Sequence, residues 1–204
     1  MKQELMVATK NRKKLEEIKE ILGKLDLRII SLADCEKPPV IVENGKTFRE
    51  NAVKKAVKIA RFTGKLTMGE DSGLCVNAIG GEPGVHSARF AGRSKSDENN
   101  NAKLLRLLDG LKLRERKAYY ACAVALADKN GLIRVVEGRC NGVIDYSPKG
   151  DFGFGYDPIF RIPEYKKTFA QLGPVIKHKM SHRFKALEKV RAVLKKYIEK
   201  QNQS

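Results

Sequence analysis

Asn130-Gly131 lies between two apolar runs, residues 118–128 and 132–138. That dipeptide supplies the positive φ angles of a tight hairpin turn, so the sequence predicts two antiparallel strands here. The start of the chain asks for something else. Leu5, Met6, Val7 and Ala8 form a short strand-like run. Leu15, Ile18, Leu22 and Leu25 recur at helical spacing from a start near Arg12, and residues 27–32 read as another strand. Strand, loop, helix and strand in that order open an α/β protein. A hairpin further along the same chain makes the sheet mixed rather than purely parallel.

Other elements follow from caps and periodicity. Thr47-Phe48-Arg49-Glu50 has the form of a capping box. It starts a helix to about Phe62, with Ala52, Val53, Ala56, Val57 and Ala60 on the buried side and Gly64 as its stop. Residues 66–68 and 74–76 read as two strand segments interrupted by a turn, Gly69-Glu70-Asp71-Ser72-Gly73. A third helix is expected from about Ser96 to Leu108, and Val143-Ile144 can extend the sheet. Residues 33–46 and 147–157 read as irregular, and a last helix starts at Ser181.

Composition narrows the function classes. A hydrophobic share of 42% over 204 residues suffices for one large domain or two tightly joined lobes without metal or disulfide support. The four cysteines contain no CxxC pair and the three histidines no HExxH pattern, which argues against a zinc site or a disulfide framework. No apolar stretch is long enough to span a bilayer and no signal-peptide core is present, so a cytoplasmic location is expected. The net charge of +17 attracts polyanions: nucleic acid, acidic membranes or small phosphorylated substrates. A lysine-rich solvated surface accounts for the same number.

Four segments carry candidate chemistry. Thr9, Lys10, Asn11, Arg12, Lys13 and Lys14 follow a strand and open a helix, where free backbone N–H groups and basic side chains suit phosphate; the P-loop pattern is absent. Glu70 and Asp71 sit among glycines, with Glu43 upstream, and carboxylates are what a hard cation such as Mg²⁺ seeks. Phe154, Gly155, Tyr156 and Asp157 place an aromatic in a glycine-containing loop, able to stack on a base. Lys177, His182 and Arg183 gather donors at the expected start of the last helix; Arg183 carries donors only and would favour a carbonyl partner. Each also has a plainer structural reading as a basic turn, an acidic turn, a packed aromatic or a helix cap.

Taken in order, these segments resemble the inosine triphosphate pyrophosphatase family. The resemblance rests on Ala8-Thr9 through Asn11 and Lys14, Glu43 with Gly45, Thr47 through Ala52 with Lys55, and Asp71-Ser72-Gly73-Leu74. It continues through Gly80 to Gly84 with Ser87-Ala88-Arg89, Phe154 to Phe160, and Lys177 with Ser181-His182-Arg183. It covers nearly the whole chain. It implies an elongated mixed α/β sheet flanked by helices, one domain of two lobes with a central substrate cleft, and a homodimer. It implies Mg²⁺-dependent hydrolysis of ITP, dITP and XTP to the monophosphate and pyrophosphate. By position, Asp71 is similar to the water-activating base, and Glu43 and Asp71 to the metal-associated acids. Thr9, Asn11, Lys14, Lys55 and Ser72 correspond to the triphosphate cradle, Phe154 to the stacking aromatic, and Asp157, Lys177, His182 and Arg183 to the nucleoside pocket. Glu70 stands where many members carry Asp. Two other readings stay open: a basic nucleic-acid-binding module, for which no recognised motif is present, and a different phosphate-ester hydrolase on the same fold.

Overall fold

The computed structural model describes residues 2–23, 25–92 and 96–201. Seven strands form one mixed sheet in the order β2-β1-β3-β4-β5-β6-β7. Strand β1 (Gln3–Val7) pairs in parallel with β2 (Leu27–Ser31) and with β3 (Thr67–Val76). Helix α1 (Arg12–Leu22) makes the crossover from β1 to β2. Strand β4 (Lys117–Asp128) and β5 (Gly131–Ile144) are neighbours joined through Lys129 and Asn130, as the hairpin signal requires. Antiparallel pairing continues from β5 to β6 (Phe160–Ile162) and β7 (Lys167–Thr168). Among the described residues, no helix is long and apolar enough to cross a membrane.

Two compact units divide the chain. The first holds Met1–Asp71, Cys122–Gly138 and Arg183–Ser204, and the second Ser72–Ala121 and Arg139–His182.

In the first unit, strand alternation sorts the core into two faces. Leu5, Val7, Met68, Cys122, Val124 and Leu126 point to one face and pack with Ile18 and Leu22 of α1 and Leu187, Val190 and Leu194 of α5 (His182–Gln201). Ala123, Ala125 and Ala127 point to the other and meet Ala52, Ala56 and Ala60 of α2 (Phe48–Thr63). Alanine against alanine brings α2 close to the sheet. At Gly69 the approach is closest: a Cβ there would lie 2.3 Å from the Ala52 carbonyl oxygen and 2.6 Å from the Ala56 nitrogen. That contact is why β3 carries glycine in mid-strand.

Three expectations are corrected. The segment from Gly69 to Gly73 is not a turn. It is the middle of the continuous strand β3, held extended by burial on both faces. The buried side of α2 is rotated from the expected stripe: Asn51, Lys55 and Ile59 are buried with the alanines, while Val53 and Val57 are only half-buried. The α2 cap also differs in detail. The Thr47 hydroxyl accepts from the Glu50 N–H, but the Glu50 carboxylate accepts from Lys46 N–H rather than from Thr47.

The second unit has its own core, with Leu74, Val76, Tyr120, Tyr156, Phe160 and Phe169 at its centre and Leu104 and Leu108 of α3 (Asp97–Leu107 with Leu108 as cap) against them. It contains a helix the periodicity does not reveal, α4 (Phe169–Met180), capped by Thr168 and Gln171. Gly173 at φ 74° and Pro174 break its regularity, which hides it in the sequence.

Candidate functional site

Glu70 and Asp71 are consecutive strand residues, so their side chains leave β3 on opposite faces. Asp71 faces α2. Asn51 and Lys55, one helical turn apart, reach it together: Asn51 Nδ2 donates to Oδ2 at 3.1 Å and Lys55 Nζ to Oδ1 at 3.1 Å. The same ammonium donates to Glu43 Oε2 at 3.0 Å. One cation thus joins the two acids that the sequence pairs as metal-associated. Burial pushes the Asp71 carboxyl above its usual range, against the pull of Lys55, Lys14 and Asn51. Burial works to lower the Lys55 ammonium, but Asp71, Glu43 and Glu70 outweigh it and hold its pKa up.

Glu70 faces α1 and α5 and is almost fully buried. Its Oε1 accepts from an Arg183 guanidinium nitrogen at 3.1 Å and from the Cys122 thiol at 3.3 Å, and its Oε2 lies 2.9 Å from Lys14 Nζ. The other end of Arg183 pairs with Glu17 of α1. Burial opposes the Arg183 charge, and Glu70 and Glu17 outweigh that, raising its pKa. Arg183 was expected to line a nucleoside pocket. The ion pairs hold it in the first unit, between two carboxylates. Two buried acids of one face need a cation between them, and Arg183 is that cation.

At the start of α1, Asn11 caps the helix by accepting from Lys14 N–H at 3.1 Å, and Thr9 Oγ1 accepts from Asn11 N–H at 3.1 Å. These two side chains shape the loop. Lys10, Arg12 and Lys13 are exposed around it. No acid balances the first turn of α1, so cations gather at the positive end of a helix dipole. That arrangement works against helix stability and in favour of a bound anion.

In the second unit, Ser72 is half-buried on β3, and a separate cluster surrounds the loop from Phe154 to Asp157. Asp157 organises it. Its Oδ2 accepts from Lys177 Nζ at 2.7 Å and from Phe154 N–H at 2.9 Å, and its Oδ1 from the Tyr120 hydroxyl at 3.4 Å. The Lys177 ammonium also lies 4.6 Å from the Phe154 ring centroid. His182 stacks on Tyr120 with ring centroids 4.6 Å apart. Gly155 is gripped through its backbone by α3: its N–H donates to Asp97 at 2.7 Å, and its carbonyl accepts from Asn101 at 3.1 Å. Tyr156, expected to touch substrate, is a core residue whose hydroxyl donates to the Ser87 carbonyl at 2.8 Å. Lys177 belongs to the last turn of α4, and Ser181 joins α4 to α5.

The sequence reading missed Glu17, Asn51, Asp97, Asn101 and Tyr120. Two of these left a signal. Lys14, Glu17 and Ile21 share one face of α1 at helical spacing, as Asn51, Lys55 and Ile59 do on α2, so charged or amide groups interrupt apolar stripes.

The Ham1 family profile matches residues 5–193. A dITP/XTP pyrophosphatase of Desulforamulus reducens is 47% identical over 190 residues, covering 93% of this chain and 94% of the relative. One of Geobacillus kaustophilus is 46% identical, covering 92% of each. The solved structure of the Staphylococcus aureus Ham1 protein aligns with a TM-score of 0.87 at 36% identity, over 96% of this chain and 100% of that one.

Proposed function

The chain belongs to the Ham1 family, and from that premise we propose that it hydrolyses non-canonical purine nucleoside triphosphates, ITP, dITP and XTP, to the monophosphate and pyrophosphate. The observation that carries the chemistry is the bridge of Lys55 between Glu43 and Asp71. Two carboxylates facing one ammonium share a common space. A magnesium ion typically takes one or two carboxylates and fills its remaining positions with water and substrate phosphate. Glu43 and Asp71, joined through Lys55, supply that number of carboxylates. Bound there, Mg²⁺ would draw negative charge from the anhydride oxygens and the departing pyrophosphate.

The residues of this chain do the rest. Asp71, whose carboxyl burial pushes above its usual range, is the group placed to take a proton from water. Lys55 and Lys14 neutralise triphosphate charge, and the basic loop from Thr9 to Lys13 holds its outer oxygens at the α1 N-terminus. In the second unit, Phe154 provides a stacking face and Lys177 a donor-only group beside it. A 6-keto purine satisfies such a donor, whereas the adenine amino group would leave it unpaired, at a cost of about 1–3 kcal/mol. Lys177 and Arg183 are both donor-only groups and both are ion-paired, Lys177 with Asp157 and Arg183 with Glu17 and Glu70. The family also implies a homodimer, which sedimentation at micromolar concentration tests directly.

The deciding variant is Asp71→Asn. It keeps the shape and an oxygen for Lys55, sets its own NH₂ against the Asn51 donor, and cannot take up a proton. Turnover of ITP should fall by about 1,000-fold or more, since general-base assistance alone supplies roughly 100- to 10,000-fold and a metal ligand is weakened too. Retained turnover would remove Asp71 from the mechanism.

A further inference from the structure

Asp71 is gripped by two side chains of one helix, and only Lys55 has been given a role. The other, Asn51, is buried at 2% exposure one turn before Lys55, next to the alanines of α2 that pack on the sheet. Packing alone would be served by another alanine. Asn51 makes two hydrogen bonds instead. Its Oδ1 accepts from Gly45 N–H at 2.8 Å, and its Nδ2 donates to Asp71 Oδ2 at 3.1 Å.

The orientation of this amide is fixed by chemistry. A backbone N–H can only donate, so the atom facing Gly45 is the oxygen, and the NH₂ group must face Asp71. Gly45 is shaped to the contact, since a Cβ there would lie 2.6 Å from Asn51 Oδ1. Gly45 is two residues from Glu43. One side chain therefore ties the segment carrying one acid to the carboxylate of the other. Asp71 receives one donor per oxygen, from Asn51 and from Lys55. A carboxylate offers about four acceptor positions, so roughly one per oxygen remains for water or metal. Both donors come from α2, and they fix the plane of the carboxylate and so the direction of the open positions.

We propose that Asn51 is a positioning residue for Asp71, setting the direction from which its carboxylate meets the attacking water. The role rests on the reading of Asp71 as the water-activating base. Its action is on turnover rather than on substrate affinity, because Asn51 spends its hydrogen bonds on Asp71 and Gly45.

Two variants separate this role from simple structural support. Asn51→Asp keeps an oxygen for Gly45 N–H and removes the donor to Asp71 at a pH where both carboxyls are ionised; while the pair shares a proton it can still donate, so its turnover is read at high pH. Asn51→Leu removes both and adds no charge. With ITP and Mg²⁺, kcat should fall about 100-fold in each, the scale of a misplaced catalytic group. KM for ITP and the dissociation constant of inorganic pyrophosphate, both read on Asn51→Leu, should stay within about twofold of wild type. Thermal melts check that each variant folds. If Asn51→Leu does not fold, Asn51→Asp, with the Gly45 tie intact, carries the turnover test. Wild-type turnover by Asn51→Asp would overturn the proposal and leave Asn51 as a mere tie for Gly45. Equal losses in kcat and in pyrophosphate affinity for Asn51→Leu would overturn it too, by making the residue part of binding. Wild-type protein run alongside isolates the underlying reading: if it fails to release pyrophosphate from ITP, that reading falls, and the role of Asn51 falls with it.

Discussion

Replacing Arg183 with methionine removes the cation from between Glu17 and Glu70 and leaves two carboxylates in one buried space. The arginine side chain is 2% exposed, Glu70 1% and Glu17 10%, so water screens little of the loss. Breaking a buried pair by deleting one partner costs about 3–5 kcal/mol. For a chain of this size each kcal/mol lowers the melting temperature by roughly 2–4 °C, so a drop on the order of 10 °C is expected. The assay is a thermal melt followed by circular dichroism, with Glu17→Gln and the Glu17→Gln, Arg183→Met double variant completing a cycle. The double variant should lose less than the sum of the two single variants, because it no longer strands the Glu17 charge. Turnover should fall in Arg183→Met as Lys14 and Glu70 rearrange, while the preference for ITP over ATP is kept. A melt shifted by less than about 2 °C, together with a collapsed ITP preference, would refute this reasoning. It would return Arg183 to the base pocket.

Three further outcomes follow from particular contacts. Gly69→Ala places a methyl group against the backbone of α2 and should cost about 1–3 kcal/mol in urea denaturation; its kcat should fall as well, since α2 carries both residues that grip Asp71. Phe154→Ala should raise KM for ITP about tenfold, one stacking contact at 1–3 kcal/mol, with kcat within a few-fold of wild type, as steady-state kinetics will show. Burial raises the Tyr156 hydroxyl pKa, so the folded chain keeps a proton that the unfolded chain releases. Stability from this group is therefore full below the unfolded value of about 10 and is lost as pH rises above it. Urea midpoints of Tyr156→Phe should fall less steeply than wild type between pH 9 and about 11.

Much of the fold is legible in the sequence because one physical signal dominates each element. Asn130-Gly131 forces a hairpin, Thr47 and Gly64 bracket α2, and the leucines and isoleucines of α1 repeat at helical spacing. Where two signals conflict, tertiary packing decides. Glycines and acids from Gly69 to Gly73 carry turn chemistry, but helices on both faces keep that segment extended. Gly173-Pro174 carries break chemistry and does kink α4, with Gly173 out of helical geometry, while the capping box at Thr168 starts the helical turn before it and the chain is helical again after it.

The candidate site divides in the same way. Residues that bear charge around a helix start, such as Lys10, Arg12 and Lys13, stand out in the sequence as candidates. Partners that act through other residues do not, because Asn51 and Asp71 are 20 positions apart, and Glu17 and Arg183 are 166 apart. Arg183 carries two readings at once. Its donor-only chemistry suits a carbonyl, and it equally suits the two carboxylates that hold it.

The central claim is tested most directly by hydrolysis of ITP, dITP, XTP, ATP and GTP with Mg²⁺, following each nucleotide product by chromatography and assaying phosphate and pyrophosphate separately. The deaminated purines should yield monophosphate and pyrophosphate with kcat/KM at least about tenfold above that for ATP, the scale of one unpaired donor, and also above that for GTP, whose 6-keto group satisfies the donor and whose 2-amino group must be what is rejected. Release of orthophosphate with a diphosphate product, or equal rates on all five nucleotides, would contradict the account.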